Sequence, residues 1–148
     1  MKFPLLLLLL LPLLCRAQSP VVLPQHLRAE VDYMQPQRYQ PRHVSDFCLE
    51  LRGDTADVYL PYMGDVYMPT FDREGLNFTA PMQQVQRDHT KKGHAVLQFS
   101  VRRQTVVYTF RLTAYPDHTF DLHLRPSNAQ DCWYRGYWDA PDVAPSAP

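Results

Sequence analysis

Net charge is the first thing this sequence lacks: fifteen lysines and arginines stand against fifteen aspartates and glutamates. Without an excess of positive charge there is no field to steer the chain onto nucleic acid or an anionic membrane, so neither is expected as a partner. Catalytic signatures are missing too. No serine lies in a Gly-x-Ser-x-Gly elbow, no His-Glu-x-x-His pair is present, and the five glycines form no phosphate-cradling loop. The six histidines are scattered singly, and His118 and His123 fall on opposite faces of any strand through them. Neither a metal site, a cofactor nor enzymatic activity is expected from such a pattern. Asp65, Asp72 and Glu74 read as ordinary exposed loop carboxylates.

Long apolar runs are absent beyond the first residues. Met1-Lys2 supplies a positive charge, Leu5 to Leu14 is apolar with one proline, and Cys15-Arg16-Ala17 offers small residues for cleavage. This is the layout of a secretory signal peptide, residues 1–17, too short to span a hydrocarbon core. The mature chain is expected to be exported and not inserted in a membrane.

Cysteine is scarce, and cleavage would leave only Cys48 and Cys132. An even number in an oxidising compartment predicts a disulfide between them. A cross-link closing so long a loop is worth about 4 to 5 kcal/mol in the chain-entropy model.

What is present is a period of two. Val106, Tyr108, Phe110, Leu112 and Ala114 alternate with Val107, Thr109, Arg111 and Thr113. After Tyr115-Pro116-Asp117-His118, which has turn chemistry, Phe120, Leu122 and Leu124 alternate with Asp121, His123 and Arg125. Leu97, Phe99 and Val101 mark a strand before them, and Phe47, Leu49 and Leu51 give a core face to Val44–Leu51, with Cys48 on the other side. Asp57-Val58-Tyr59-Leu60-Pro61 and Asp65-Val66-Tyr67-Met68-Pro69 form a short echo, read as two adjacent strands stopped by proline. The expected fold is mainly β, a small antiparallel β-sandwich or open barrel with one disulfide and extended proline-rich termini. Residues 18–43 read as a proline-rich arm with a helical turn near Gln25 to Tyr33, residues 44–138 as the β domain, and residues 139–148 as a disordered tail.

Three features invite functional readings. Arg52-Gly53-Asp54 sits where a hairpin tip is expected, a presentation suited to an integrin-type receptor, although Gly-Asp is also plain turn chemistry. Asn77-Phe78-Thr79 is an N-glycosylation acceptor at Asn77, expected on an exposed loop. Trp133, Tyr134, Tyr137 and Trp138 are residue types that anchor interfaces, or else they pack on the disulfide and close one end of the sheet. Trp138, beside the tail, is expected to be the most exposed of them.

Tyr108-Thr109-Phe110-Arg111-Leu112-Thr113-Ala114-Tyr115, then Phe120 to Pro126, then Asp131-Cys132-Trp133-Tyr134-Arg135-Gly136, resemble the propeptides of adamalysin-type (ADAM and ADAM-TS) metalloproteases over Val96 to Trp138. The resemblance implies a free-standing prodomain-like module that binds or restrains a protease. The function expected is therefore non-catalytic protein binding outside the cell or in the secretory lumen. The partner would be an extracellular or membrane-surface protein, a protease or a receptor; a receptor ligand using Arg52-Gly53-Asp54 is the alternative, and the oligomeric state is left open.

Overall fold

The computed structural model describes residues 19–64 and 76–141, and among them every regular element is a strand. In chain order these are β1 (His26–Pro36), β2 (Arg42–Arg52), β3 (Thr55–Leu60), β4 (Leu76–Pro81), β5 (Gln83–His89), β6 (Ala95–Arg103), β7 (Val106–Ala114), β8 (Thr119–Pro126) and β9 (Cys132–Asp139). All pairings are antiparallel, in the spatial order β4-β3-β2-β1-β9-β8-β7-β6-β5. Two meanders thus run outward from a central β1–β9 pair. Their far ends meet again, because β4 and β5 lie at opposite edges of the sheet yet only Met82 separates them along the chain. A single residue cannot bridge two distant edges, so the sheet must curl into a nearly closed barrel. The Met82 amide donates to the Asp54 carbonyl at 2.7 Å, and the Ser100 hydroxyl to the Gln83 carbonyl at 3.3 Å, fastening that corner.

Alternation explains which side of each strand faces in. On β7 and β8, Phe110, Leu112, Ala114, Phe120, Leu122 and Leu124 are all buried. Phe99 and Phe110 are direct cross-strand partners with stacked rings 4.9 Å apart. Together with Phe120 and Tyr134 they fill the interior, so this barrel is packed and not hollow. Both ends are tied. Val21 is buried, its amide donates to the Gly93 carbonyl at 2.9 Å, and its own carbonyl accepts from His89 Nε2 at 2.8 Å. At the opposite end of β3, the Tyr134 hydroxyl donates to the Pro61 carbonyl and the Tyr62 hydroxyl to the Gln130 carbonyl, each at 2.7 Å.

Three expectations change here. The proline-rich arm of residues 18–43 contains β1, one of the two central strands, where a helical turn was expected. Leu27, Ala29 and Val31 alternate with Arg28, Glu30 and Asp32, and burial of the first set against both neighbours overrides the flanking prolines. Second, the segment around Asn77, expected as loop, forms edge strand β4, with Pro81 on the edge where a missing N–H costs least. Third, Cys48 and Cys132 are free thiols, not a disulfide. Cys48 pairs with Glu30 and Cys132 with Pro36, six positions further along β1. That is roughly 20 Å of strand, against the Cα separation of at most about 7 Å that a disulfide tolerates. The signal peptide, the second copy of the echo and residues 142–148 of the tail lie outside the described residues.

Candidate functional site

The centre of the sheet is bent. Between Val31 and Tyr33 the register of β1 slips against both neighbours: Val31 faces Gly136 while Tyr33 faces Arg135, leaving Asp32 as the extra residue of a bulge. On the other side β2 takes an excursion between His43 and Phe47, with Asp46 at φ 67°. The slip moves the inward set on β1 from Leu27, Ala29 and Val31 to Met34 and Pro36. Gly136 makes the bulge possible. A Cβ at that position would lie 1.8 Å from the Glu30 carbonyl oxygen, so only glycine allows β9 to press this close.

Around the bulge, the outer surface of β2, β1, β9 and β8 carries a row of shallow grooves. One, of about 450 Å³, runs between β1 and β2 past Cys48 and Phe47 to Tyr137. Two more, of about 330 and 300 Å³, share Tyr137 and extend toward Asp121 and toward His118. A fourth, about 300 Å³, lies between Tyr33 and Trp133 and ends at Arg135 and Asp121. Strand β9 supplies the ridges of this surface, because its residues alternate strictly between buried and exposed.

That alternation divides the aromatic cluster. Trp133 and Tyr137 point outward, 39% and 60% exposed. Tyr134 is fully buried, and Trp138 is buried with its indole N–H donating to the Tyr115 carbonyl at 3.1 Å and its ring stacked on His118. Tyr134 and Trp138 are therefore core residues and not recognition residues, and the expectation that Trp138 is the most exposed is reversed. Its carbonyl also lies 3.2 Å from His118 Nδ1, so proximity to the tail does not free it.

Several charges on this face are paired. Arg135 Nε lies 3.2 Å from Asp121 Oδ1, and Asp121 Oδ2 accepts the Tyr115 hydroxyl at 2.6 Å. That hydrogen bond, reinforced by partial burial and the Asp121 charge, pushes the Tyr115 hydroxyl up to about 12. His123 Nε2 sits 2.8 Å from Asp131 Oδ2, and its ring lies parallel to Trp133 with centroids 4.8 Å apart. Glu50 is held below the usual carboxylate range, first by its hydrogen bond to His26 at 2.7 Å. Burial raises the Cys48 thiol, and raises the more deeply buried Cys132 to about 11. Both are thus kept as thiols at neutral pH, the unreactive form. Among the described residues no three of His, Cys, Asp and Glu gather as a metal site.

Arg52-Gly53-Asp54 does occupy a hairpin tip between β2 and β3, with Gly53 at φ 60°. Yet Arg52 is folded back on Glu50, at 3.0 and 3.2 Å, and the tip backbone is fastened by Gly53 N–H to the Gln25 carbonyl at 3.1 Å. Asn77 is exposed on strand β4, opposite Tyr59, and not on a loop. Tyr33, Gln35, Asp121 and Arg135 were not singled out by the sequence. The first two lie past the break in the alternation of β1 and left no pattern to read, while cross-strand register, which brings Asp121 opposite Arg135, places the others.

The chain has a counterpart among solved structures. It is similar to a DUF4251 family protein from Bacteroides eggerthii DSM 20697, at 15% sequence identity and a TM-score of 0.60, over 77% of this chain and 78% of the other. At that identity the likeness concerns the fold. No curated protein matches. The model of the DUF4251 family, a domain of unknown function, matches residues 17–138. That span is most of the chain, and the protein belongs to this family.

Proposed function

We propose that this chain is an exported, non-catalytic module that binds another protein through the outer face of β2, β1, β9 and β8. The observation that carries the reading is the placement of Tyr137: the most exposed aromatic ring of β9 stands on a central strand and borders three of the four grooves. Large aromatic and arginine side chains near the centre of a contact surface are the usual anchors of protein interfaces. The paired charges around it, Arg135 with Asp121 and Arg28 with Glu30 at 3.3 Å, give a partner polar contacts that are already neutralised within the chain. Export rests on the signal-like first seventeen residues. The hairpin-tip alternative gains no support, since Arg52 is engaged within the chain.

A photo-reactive residue placed at 137, with a control at Lys92 in the β5–β6 turn, tests the reading in the cells that make the protein. A discrete cross-linked partner from position 137, absent from position 92 and weakened by Arg135→Ala, is the expected result. Equal yields from both positions, or none from 137, would refute it. The resemblance to adamalysin propeptides suggests which partner to look for first, a metalloprotease.

A further inference from the structure

The groove between Tyr33 and Trp133 differs from its neighbours in being walled by two rings, each braced from behind. Trp133 stacks on His123 at 4.8 Å with planes 3° apart, and His123 is itself held by Asp131 at 2.8 Å. Tyr33 meets His43 edge-on at 5.4 Å. The two walls therefore reach a ligand already ordered, which removes much of the entropy cost of binding. Gln35 and the Arg135–Asp121 pair form the rim.

We propose that this slot is a saccharide subsite that takes one neutral pyranose ring. The argument runs through three properties. A pyranose presents C–H faces that pack against π faces, where the rings carry their negative charge density. Its edges carry hydroxyls that are donors and acceptors at once. They suit the rim: a planar amide that both donates and accepts, a guanidinium with N–H groups left beyond its contact with Asp121, and a carboxylate. The charges of the rim cancel, so a neutral ligand leaves the pair intact, whereas an anion or cation must compete with it. An apolar or proline-rich peptide side chain would satisfy the walls but would press Gln35, Asp121 and Arg135 against groups that offer no hydrogen bonds, which is costly. The volume, about 300 Å³, lies at the lower end for small-molecule sites and suits a single ring. This inference rests on the outer face being a binding surface but not on the other partner being a protein.

Saturation-transfer NMR on the mature chain, with the methyl glycosides of glucose, galactose, mannose and N-acetylglucosamine at millimolar concentration, tests it. Transfer to the ring protons of at least one glycoside is expected. Trp133→Ala should weaken binding by about tenfold, Gln35→Ala should weaken it as well, and Lys92→Ala, in the exposed β5–β6 turn, should leave it unchanged. Trp133 and Gln35 are exposed, so their variants keep the core. No transfer from any of the four, transfer that survives Trp133→Ala, or displacement only by a proline-rich peptide would overturn the proposal. A silent saccharide panel with cross-linking from position 137 preserved overturns the slot alone. Saccharide transfer with cross-linking lost overturns the protein-binding reading alone.

Discussion

Replacing Gly136 by alanine should be among the most damaging single-methyl changes available to this chain. The new Cβ would meet the Glu30 carbonyl oxygen at 1.8 Å, the Glu30 carbonyl carbon at 2.8 Å and Val31 Cα at 3.0 Å, all backbone atoms that no rotamer change can move. Ordinary contacts lie near 3.5 Å, so β9 must retreat from β1 by about 1.5 Å at the bulge. Ladder hydrogen bonds do not survive such a shift. Losing two or three of them at about 1 kcal/mol each, with about 1 to 3 kcal/mol of overpacking strain, gives roughly 3 to 6 kcal/mol. For a domain of ordinary stability, about 5 to 15 kcal/mol, that is a large fraction.

Gly53→Ala is the matched control. Gly53 has φ 60° and nothing within 4 Å of a built Cβ, so its cost is conformational only, about 1 to 2 kcal/mol. Urea titrations of the two variants, read as midpoints at unchanged slope, separate the steric from the conformational mechanism. If Gly136→Ala costs no more than Gly53→Ala, β9 does not press on β1 as described, and the bulge that shapes the outer face is wrong with it.

The cysteines and Tyr115 give further checks. Cys132 should react with a thiol reagent only after unfolding and Cys48 slowly in the native state, with no change in midpoint on adding reductant, because the two are free and their pKa values are raised. A reductant-dependent loss of about 2 kcal/mol or more would restore the disulfide. Cys132→Ser should destabilise by about 1 to 3 kcal/mol through burial of a more strongly hydrated group in a site shaped for sulfur, measured in the same titrations, whereas Cys48→Ser should be nearly silent. Tyr115 is a raised acid whose neutral form donates to Asp121. Its contribution is therefore present in full below the ordinary tyrosine pKa near 10 and is lost as pH rises from about 10 to about 12. Tyr115→Phe should flatten the fall in thermal midpoint over that window, and an unchanged slope would show that the bond is not made in solution.

Much of this fold is written in the period-two runs. Strands β2, β3, β6, β7 and β8 were readable because one face of each is apolar, and the turn at Tyr115–His118 because Pro-Asp has turn chemistry. The first central strand was not, for a physical reason. Its alternation breaks after Val31, where Asp32 is spent on a bulge, and prolines at 24, 36 and 41 bracket it so that the window looks irregular. Strand β5 was obscured differently. All seven of its residues are exposed, so an edge held by backbone bonds to β6 leaves no hydrophobic pattern to read. The disulfide failed because compartment and parity argue for pairing without any knowledge of register, and register places the two sulfurs on opposite sides of the sheet.

The aromatic cluster shows how far a motif can be read before its neighbours are known. Trp133, Tyr134, Tyr137 and Trp138 look like one patch in sequence, but a strand sends them to two faces: Tyr134 and Trp138 into the barrel, Trp133 and Tyr137 out of it. The same strand thus does two jobs that pull in opposite directions. Inward, it joins the two meanders, which demands close packing against β1 and is what Gly136 supplies. Outward, it must leave room beside its rings, and the bulge opposite Gly136 provides that room by turning Asp32 and Tyr33 out of register. A binding surface on a central pair of strands, paired on both sides, holds its side chains better than one on an edge or a loop. For that reason the outer face of β9, and not the Arg52-Gly53-Asp54 hairpin at the rim, is where a partner is expected.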